Sequence, residues 1–129
     1  MDDRFCTGFL DLVAPVYNKT ARNTVSAIQG GGGGGYDITL DRFWLLSLKE
    51  FNGNNVNGIA EGKQFAYFRD VATTNEQRIQ YDDGGVARLV WLRSPYAHGA
   101  GGESNITTSG ASSANNALGA FAFQPVMCI

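Results

Sequence analysis

Histidine occurs once, cysteine twice and proline three times in the 129 residues of this chain. One histidine gives no pair for a metal, and no cysteine lies near it. Cys6 and Cys128 stand almost at opposite ends, with no Cys-x-x-Cys spacing, so neither a zinc knuckle nor a disulfide scaffold is expected. Two readings stay open for them: free thiols, or a single bridge joining the termini, which would need adjacent ends and an oxidising compartment. Charge is also in short supply. Charged residues are 17% of the chain, the formal net charge is −2, and there are 3 lysines against 7 arginines. No basic excess exists to neutralise phosphates, which argues against a dedicated nucleic-acid binder. No run approaches 18 apolar residues, so no spanning helix is expected. Met1-Asp2-Asp3-Arg4 is acidic and no signal-peptide apolar region follows it.

What is present is enough for one core. Hydrophobic residues make up 43% of 13.9 kDa, which argues against wholesale disorder and for a single domain over residues 1–129. Phe5, Phe9, Leu12 and Val13 recur at helical spacing, predicting a short helix over 5–14 ended by Pro15. Val16 to Ile28 reads as extended. Gly30 to Gly35 are six consecutive glycines, read as a flexible loop tip. A phosphate-binding loop would need Gly-Lys-Ser/Thr before a helix, and Tyr36-Asp37-Ile38-Thr39 follows instead. Tyr36 to Leu46 reads as strand. Its end, Phe43-Trp44-Leu45-Leu46, is apolar on both faces and should be central and doubly covered. Ser47-Leu48-Lys49-Glu50 fits a reciprocal capping box, so a helix should start at Ser47 and end in the Asn/Gly cluster 52–58.

Ala60 to Phe68 fits either a helix or a strand. Arg78-Ile79-Gln80-Tyr81 reads as a short strand, and Asp82-Asp83-Gly84-Gly85 as a hairpin turn. Val86 to Arg93 carries the strongest strand pattern, with Ala87, Leu89, Trp91 and Arg93 on one face and Val86, Arg88, Val90 and Leu92 on the other. Ser94-Pro95 should stop it. Tyr96 to Asn116 is a long polar stretch, with a possible short strand at 106–108 turning at Ser109-Gly110. Such a stretch in a compact domain is usually functional. The apolar end, Ala117 to Ile129, predicts a terminal strand in the core, with Pro125 at a bulge or edge.

Three segments carry a resemblance. They are Phe43-Trp44-Leu45-Leu46-Ser47-Leu48-Lys49-Glu50, Trp91-Leu92-Arg93-Ser94-Pro95 and Phe123-Gln124-Pro125-Val126-Met127-Cys128-Ile129. In order and spacing they resemble an uncharacterised domain family of phages, prophages and surface proteins of gut-dwelling Firmicutes. That family carries F-L-L-S-x-x-E, R-I-x-Y, W-W-L-R-S-P and a closing G-V-R-P-A-x-x-I. Arg78-Ile79-Gln80-Tyr81 fits the second element. Val90 replaces the first Trp of the pair, and Gln124 stands where Arg is usual. Family members often carry a longer N-terminal part. The family is in turn similar to C-type-lectin-like domains, which implies an α+β fold with a twisted, mostly antiparallel sheet, one or two short helices and long loops.

The resemblance implies a framework of Trp44, Ser47, Glu50, Trp91, Arg93 and Pro95. Arg93 is expected either to fix loop carbonyls or to pair with a buried carboxylate, the alternative being a guanidinium aimed at a ligand, and the tryptophans to lie in the core. The 96–116 stretch resembles paratope chemistry: rigid aromatics and adaptable hydrogen-bonding groups on a scaffold. Tyr96, His98, Glu103, Asn105, Asn115 and Asn116 are the candidate ligand-binding residues. No catalytic residue, metal site or cofactor is expected. Asp82-Asp83 lacks the alternating ligands of a calcium loop, and Glu103 with the asparagines makes only a weak one. The expected function is a non-enzymatic virion surface protein, a tail-fibre or capsid-surface adhesin attaching to a host receptor protein or glycan. The alternative is a structural capsid decoration, cement or tail component with no ligand of its own. A cell-wall glycan hydrolase using Asp82 or Glu103 is a third, weaker reading. Expected partners are other virion subunits in a homo-oligomer, with no nucleic acid and no membrane insertion. The expected location is the phage particle, after synthesis in the bacterial cytoplasm.

Overall fold

The computed structural model describes the backbone of residues 20–27 and 33–41, and the whole of residues 43–56, 61–96 and 101–126. The expected helix over 5–14, both cysteines and His98 lie outside the described residues. Strands β1 (Thr20–Ala27) and β2 (Gly33–Asp41) form an antiparallel hairpin, irregular at Ser26/Ala27. The described part of the glycine tract is strand and not loop: Gly33, Gly34 and Gly35 lie in β2, with Gly35 opposite Ser26 and Gly33 opposite Ala27. A ladder partner supplies the hydrogen bonds that fix a backbone with no side chain to pack.

Phe43-Trp44-Leu45-Leu46 is buried at Phe43, Trp44 and Leu46, yet only Trp44–Leu45 (β3) is strand. It is not the expected central strand. It pairs antiparallel with β10 (Pro125–Val126) in a two-stranded sheet. Helix α1 (Leu48–Asn52) follows. Its capping box closes as the sequence predicts, with Ser47 Oγ accepting from Glu50 N at 3.0 Å and Glu50 Oε2 accepting from Ser47 N at 2.9 Å. Gly53, at φ 85°, ends the helix in the left-handed conformation and donates its N–H to the Lys49 carbonyl at 3.0 Å.

The ambiguous stretch resolves into a π-helical turn, Tyr67–Val71, after an irregular lead-in. Arg78 was expected to start a strand, but it sits in a 3₁₀ turn, Glu76–Arg78. Its guanidinium donates to the carbonyls of Ala72 at 2.7 Å and Phe68 at 3.0 Å, acceptors the π turn leaves without ladder partners. The strand shrinks to β4 (Gln80–Tyr81), joined to β5 (Ala87–Arg88) through the expected turn. There Asp82 Oδ1 accepts from Gly84 N and Val86 N, and Gly85 has φ 75°.

The largest sheet has strand order β8-β7-β6-β9. Its strands are β6 (Val90–Pro95), β7 (Gly102–Ile106), β8 (Ser112–Asn116) and β9 (Ala122–Phe123). The β6–β7 and β7–β8 pairings are antiparallel and β6–β9 is parallel. Two expectations change here. The expected strand is interrupted at Leu89, between β5 and β6, and Pro95 does not cut β6 short but is its last residue, opposite Glu103 past a register shift. At the end of a strand Pro loses only one ladder donor. The 96–116 stretch is mostly a hairpin, with its turn at 107–111 and Gly110 at φ 80°. The core holds Leu46, Phe51, Phe68, Ala72, Leu92 and Ile106, with Phe51 and Phe68 edge-on at 5.0 Å. The result is a small mixed α/β domain of several small sheets and a few short helical turns.

Candidate functional site

Alternation along β6 turns Val90, Leu92 and Ser94 inward, where each is buried, and leaves Trp91 and Arg93 half-buried on the opposite side. Arg93 reaches α1 and the segment after it. Its Nη1 donates to Glu50 Oε2 at 2.6 Å and to the Leu45 carbonyl at 2.8 Å, while Nη2 donates to the Glu61 carbonyl at 3.0 Å. The Glu50 side chain is 0% exposed and that of Arg93 10%, so this pair is well shielded from solvent. Glu61 completes a polar lattice. Its carbonyl also accepts from Ser47 Oγ at 2.7 Å, and its carboxylate accepts from the Ser94 hydroxyl. Ser94 Oγ in turn accepts from Leu48 N at 2.8 Å. Five side chains from three places in the sequence thus lock β3, α1, residue 61 and β6 together. A buried charge pair is tolerated only when its remaining donors and acceptors are met in this way.

Gly62 belongs to the same lattice. Its φ is +93°, and a Cβ there would lie 2.9 Å from Glu50 Oε1. Glu61 is the residue that sequence reading missed. No linear motif marks it, and the only local signal is the glycine that follows.

Two cavities open beside the lattice. One, of about 450 Å³, is lined by Leu48, Asn55, Val56, Pro95, Tyr96, Ser104 and the β8 residues Ser112, Ser113 and Ala114. The other, of about 680 Å³, is lined by Leu45, Trp91, Leu92, Arg93, Glu103, Ala117 and Phe123. The candidate binding residues are therefore divided. Tyr96 faces the first cavity, its ring packed over Gly102, and Glu103 faces the second. Asn105 is fully buried opposite Trp91. Asn115 is half-buried on β8. Asn116 is exposed and serves the next turn, its Oδ1 accepting from Leu118 N at 3.0 Å. Trp44 is buried, and Trp91 packs on Phe121 at 4.8 Å.

Glu103 is the one carboxyl among the described residues displaced far upward. Burial, helped by the nearby Glu61 carboxylate, pushes it up to about 7. Its Oε2, and both amide atoms of Asn105, are buried with no hydrogen-bond partner among the described residues. Asp82 is held low instead, chiefly by the Val86 backbone N–H and then by Arg88, whose Nη2 lies 2.6 Å from it. Its carboxylate is engaged in the turn and lines neither cavity. Among the described residues no group of three His, Cys, Asp or Glu side chains is placed to hold a metal ion. No helix among them is long and apolar enough to cross a membrane.

The fold and this lattice define a small mixed α/β domain whose β3–α1 segment is clamped to a Trp-bearing strand by an arginine. The chain belongs to the family described as a domain of unknown function, DUF6273, whose model matches residues 3–129. No curated protein and no solved structure is significantly similar to it.

Proposed function

We propose that this domain is a non-enzymatic recognition module of a phage or prophage virion, displayed on a tail fibre or capsid surface and binding a host protein or glycan. The observation that carries this reading is the β7–β8 hairpin with the Tyr96 cavity at its side. Small polar side chains of β8, the half-exposed Tyr96 ring and Ser104 surround a cavity on a frame held by the Arg93 lattice. A rigid frame presenting Tyr, Ser and Asn is the chemistry of adaptable binding surfaces, and many weak contacts gain avidity in a homo-oligomeric particle. A C-type-lectin-like arrangement belongs to the same reading. It is supported by the terminal segment, which returns beside the Trp91 strand as β9.

A specific observation favours the second reading, a structural decoration, cement or tail component. Leu118 is 92% exposed and Phe123 59% exposed, and β8 is the edge strand of its sheet among the described residues. Such features suit burial against neighbouring subunits. Replacing Tyr96 and His98 together with Ala separates the two. The recognition reading expects host-cell adsorption of the particle to fall while the melting temperature of the domain stays unchanged. Normal adsorption of that variant would overturn it in favour of the structural reading.

A further inference from the structure

The cavity beside Glu103 has features the recognition reading does not use. Its walls are aromatic and aliphatic: Trp91 and Phe123, with Leu45, Leu92 and Ala117. Its polar lining is Arg93, already engaged with Glu50 and two backbone carbonyls, and Glu103. Glu103 Oε2 is buried without a hydrogen-bond partner among the described residues. The ladder register sets Asn105 opposite Trp91, and Trp91 opposite Phe123, which places all three on one face of the sheet two positions from Glu103. Asn105 is fully buried, and neither amide atom finds a partner among the described residues. Native domains leave few buried polar atoms unmet, and of these two residues Glu103 is the one that lines the cavity.

We infer that this cavity binds an organic cation, an alkylammonium group whose N–H donors meet the Glu103 carboxylate while its carbons lie against Trp91 and Phe123. The chemistry follows from the lining. An aromatic face attracts a desolvated cation, and a carboxylate short of donors accepts a charge-assisted hydrogen bond. A neutral alcohol of the same shape supplies one donor and no charge. An anion would meet Glu103 with Glu61 behind it. The volume of about 680 Å³ exceeds what a short alkylammonium fills, leaving room for the group to be the head of a longer molecule. The inference goes beyond the recognition reading, which is carried by the Tyr96 cavity and not by this one.

The test is titration of the folded chain with n-butylammonium chloride, followed by the Trp91 indole N–H signal in NMR spectra at pH 8, with butan-1-ol as the neutral isostere. The expected result is saturable binding of the ammonium ion, at least tenfold tighter than butan-1-ol. Glu103→Gln should weaken it at least tenfold with no loss of melting temperature. Phe123→Leu, which keeps apolar bulk but removes the ring, should weaken it several-fold. Equal binding of the alcohol, or unchanged affinity in Glu103→Gln, would overturn the inference. Cell adsorption of the particle, measured beside it, keeps the two proposals apart. The recognition reading is decided by the Tyr96 and His98 substitution, and the cation by the titration, so either can fail without the other.

Discussion

At the scale of single residues, Arg93 and Glu103 mark two opposite fates for a charge near the core. Arg93 sits 2.6 Å from a fully buried carboxylate and holds two carbonyls besides. Arg93→Ala would leave Glu50 buried and uncompensated, so we expect a loss of about 3–5 kcal/mol in urea unfolding. Arg93→Lys should recover only part of it, because an ammonium cannot reach the carboxylate and both carbonyls with a fixed planar fork. A variant as stable as the parent would show that the lattice contributes nothing. Glu103 lacks such a partner among the described residues, and its stability effect has the reverse sign. Its folded carboxyl is raised from 4.5 to about 7, so the folded protein keeps a proton that the unfolded chain releases between those values. The stabilising contribution is full below about pH 4.5 and is lost as pH rises through about 7. A shift of this size corresponds to about 3 kcal/mol at most, and solvent reaching the half-buried group reduces it to about 1–2 kcal/mol. Glu103→Gln should therefore match the parent at pH 4.5 and exceed it by about 1–2 kcal/mol at pH 8. Equal stability of the two proteins at pH 8 would refute the buried-acid description.

At the scale of elements, short pieces depend on their ends. Helix α1 spans Leu48–Asn52, too short to hold on propensity, and its first turn is tied by Ser47. Ser47 Oγ also donates to the Glu61 carbonyl. Ser47→Ala should cost about 1–3 kcal/mol, more than an exposed cap, because two buried partners lose their bond. The β7–β8 turn has a different constraint. Gly110 is at φ +80°, and a Cβ there would lie 1.8 Å from the Asn75 carbonyl oxygen. Gly110→Ala should destabilise by at least about 2 kcal/mol, since strain and a backbone clash add, and thermal unfolding would register it. The capping box and the Asp82–Gly85 turn were legible in the sequence, because both are closed by residues within a few positions of one another. The length of β6 was not. Ser94-Pro95 looks like a stop, but Pro95 is tolerated at the end of a strand whose partner, Glu103, comes from β7. The π turn at 67–71 was illegible for a similar reason: its free carbonyls are met by Arg78, ten and six residues away.

At the scale of the whole molecule, the terminal segment joins two sheets. β9 pairs with β6 and β10 with β3, so a few residues near the chain end tie the Trp91 strand to the Trp44 strand. A chain ended after residue 121 should lose cooperative unfolding altogether, with near-ultraviolet dichroism flattened, since Leu45 and Trp91 would each lose a ladder partner. A cooperative transition in that shortened chain would show that the core closes without the tail. The segments Phe43–Glu50, Trp91–Pro95 and Phe123–Ile129 are separated in sequence, and their described parts meet here, through Arg93, β3 and the two terminal pairings.

The amino-acid sequence by itself determined what neighbours along the chain decide: the cap at Ser47, the left-handed glycine turns, and the alternation that gives β6 one buried side. It also singled out Arg93 as a group needing carbonyls or a carboxylate. Only the tertiary structure decided which ones, drew Glu61 into the lattice, divided Tyr96 and Glu103 between two cavities and set Glu103 next to another carboxylate. Those outcomes depend on burial and on contacts between residues 14 to 48 positions apart, and no local pattern of side chains encodes the dielectric or the neighbour that a fold will supply.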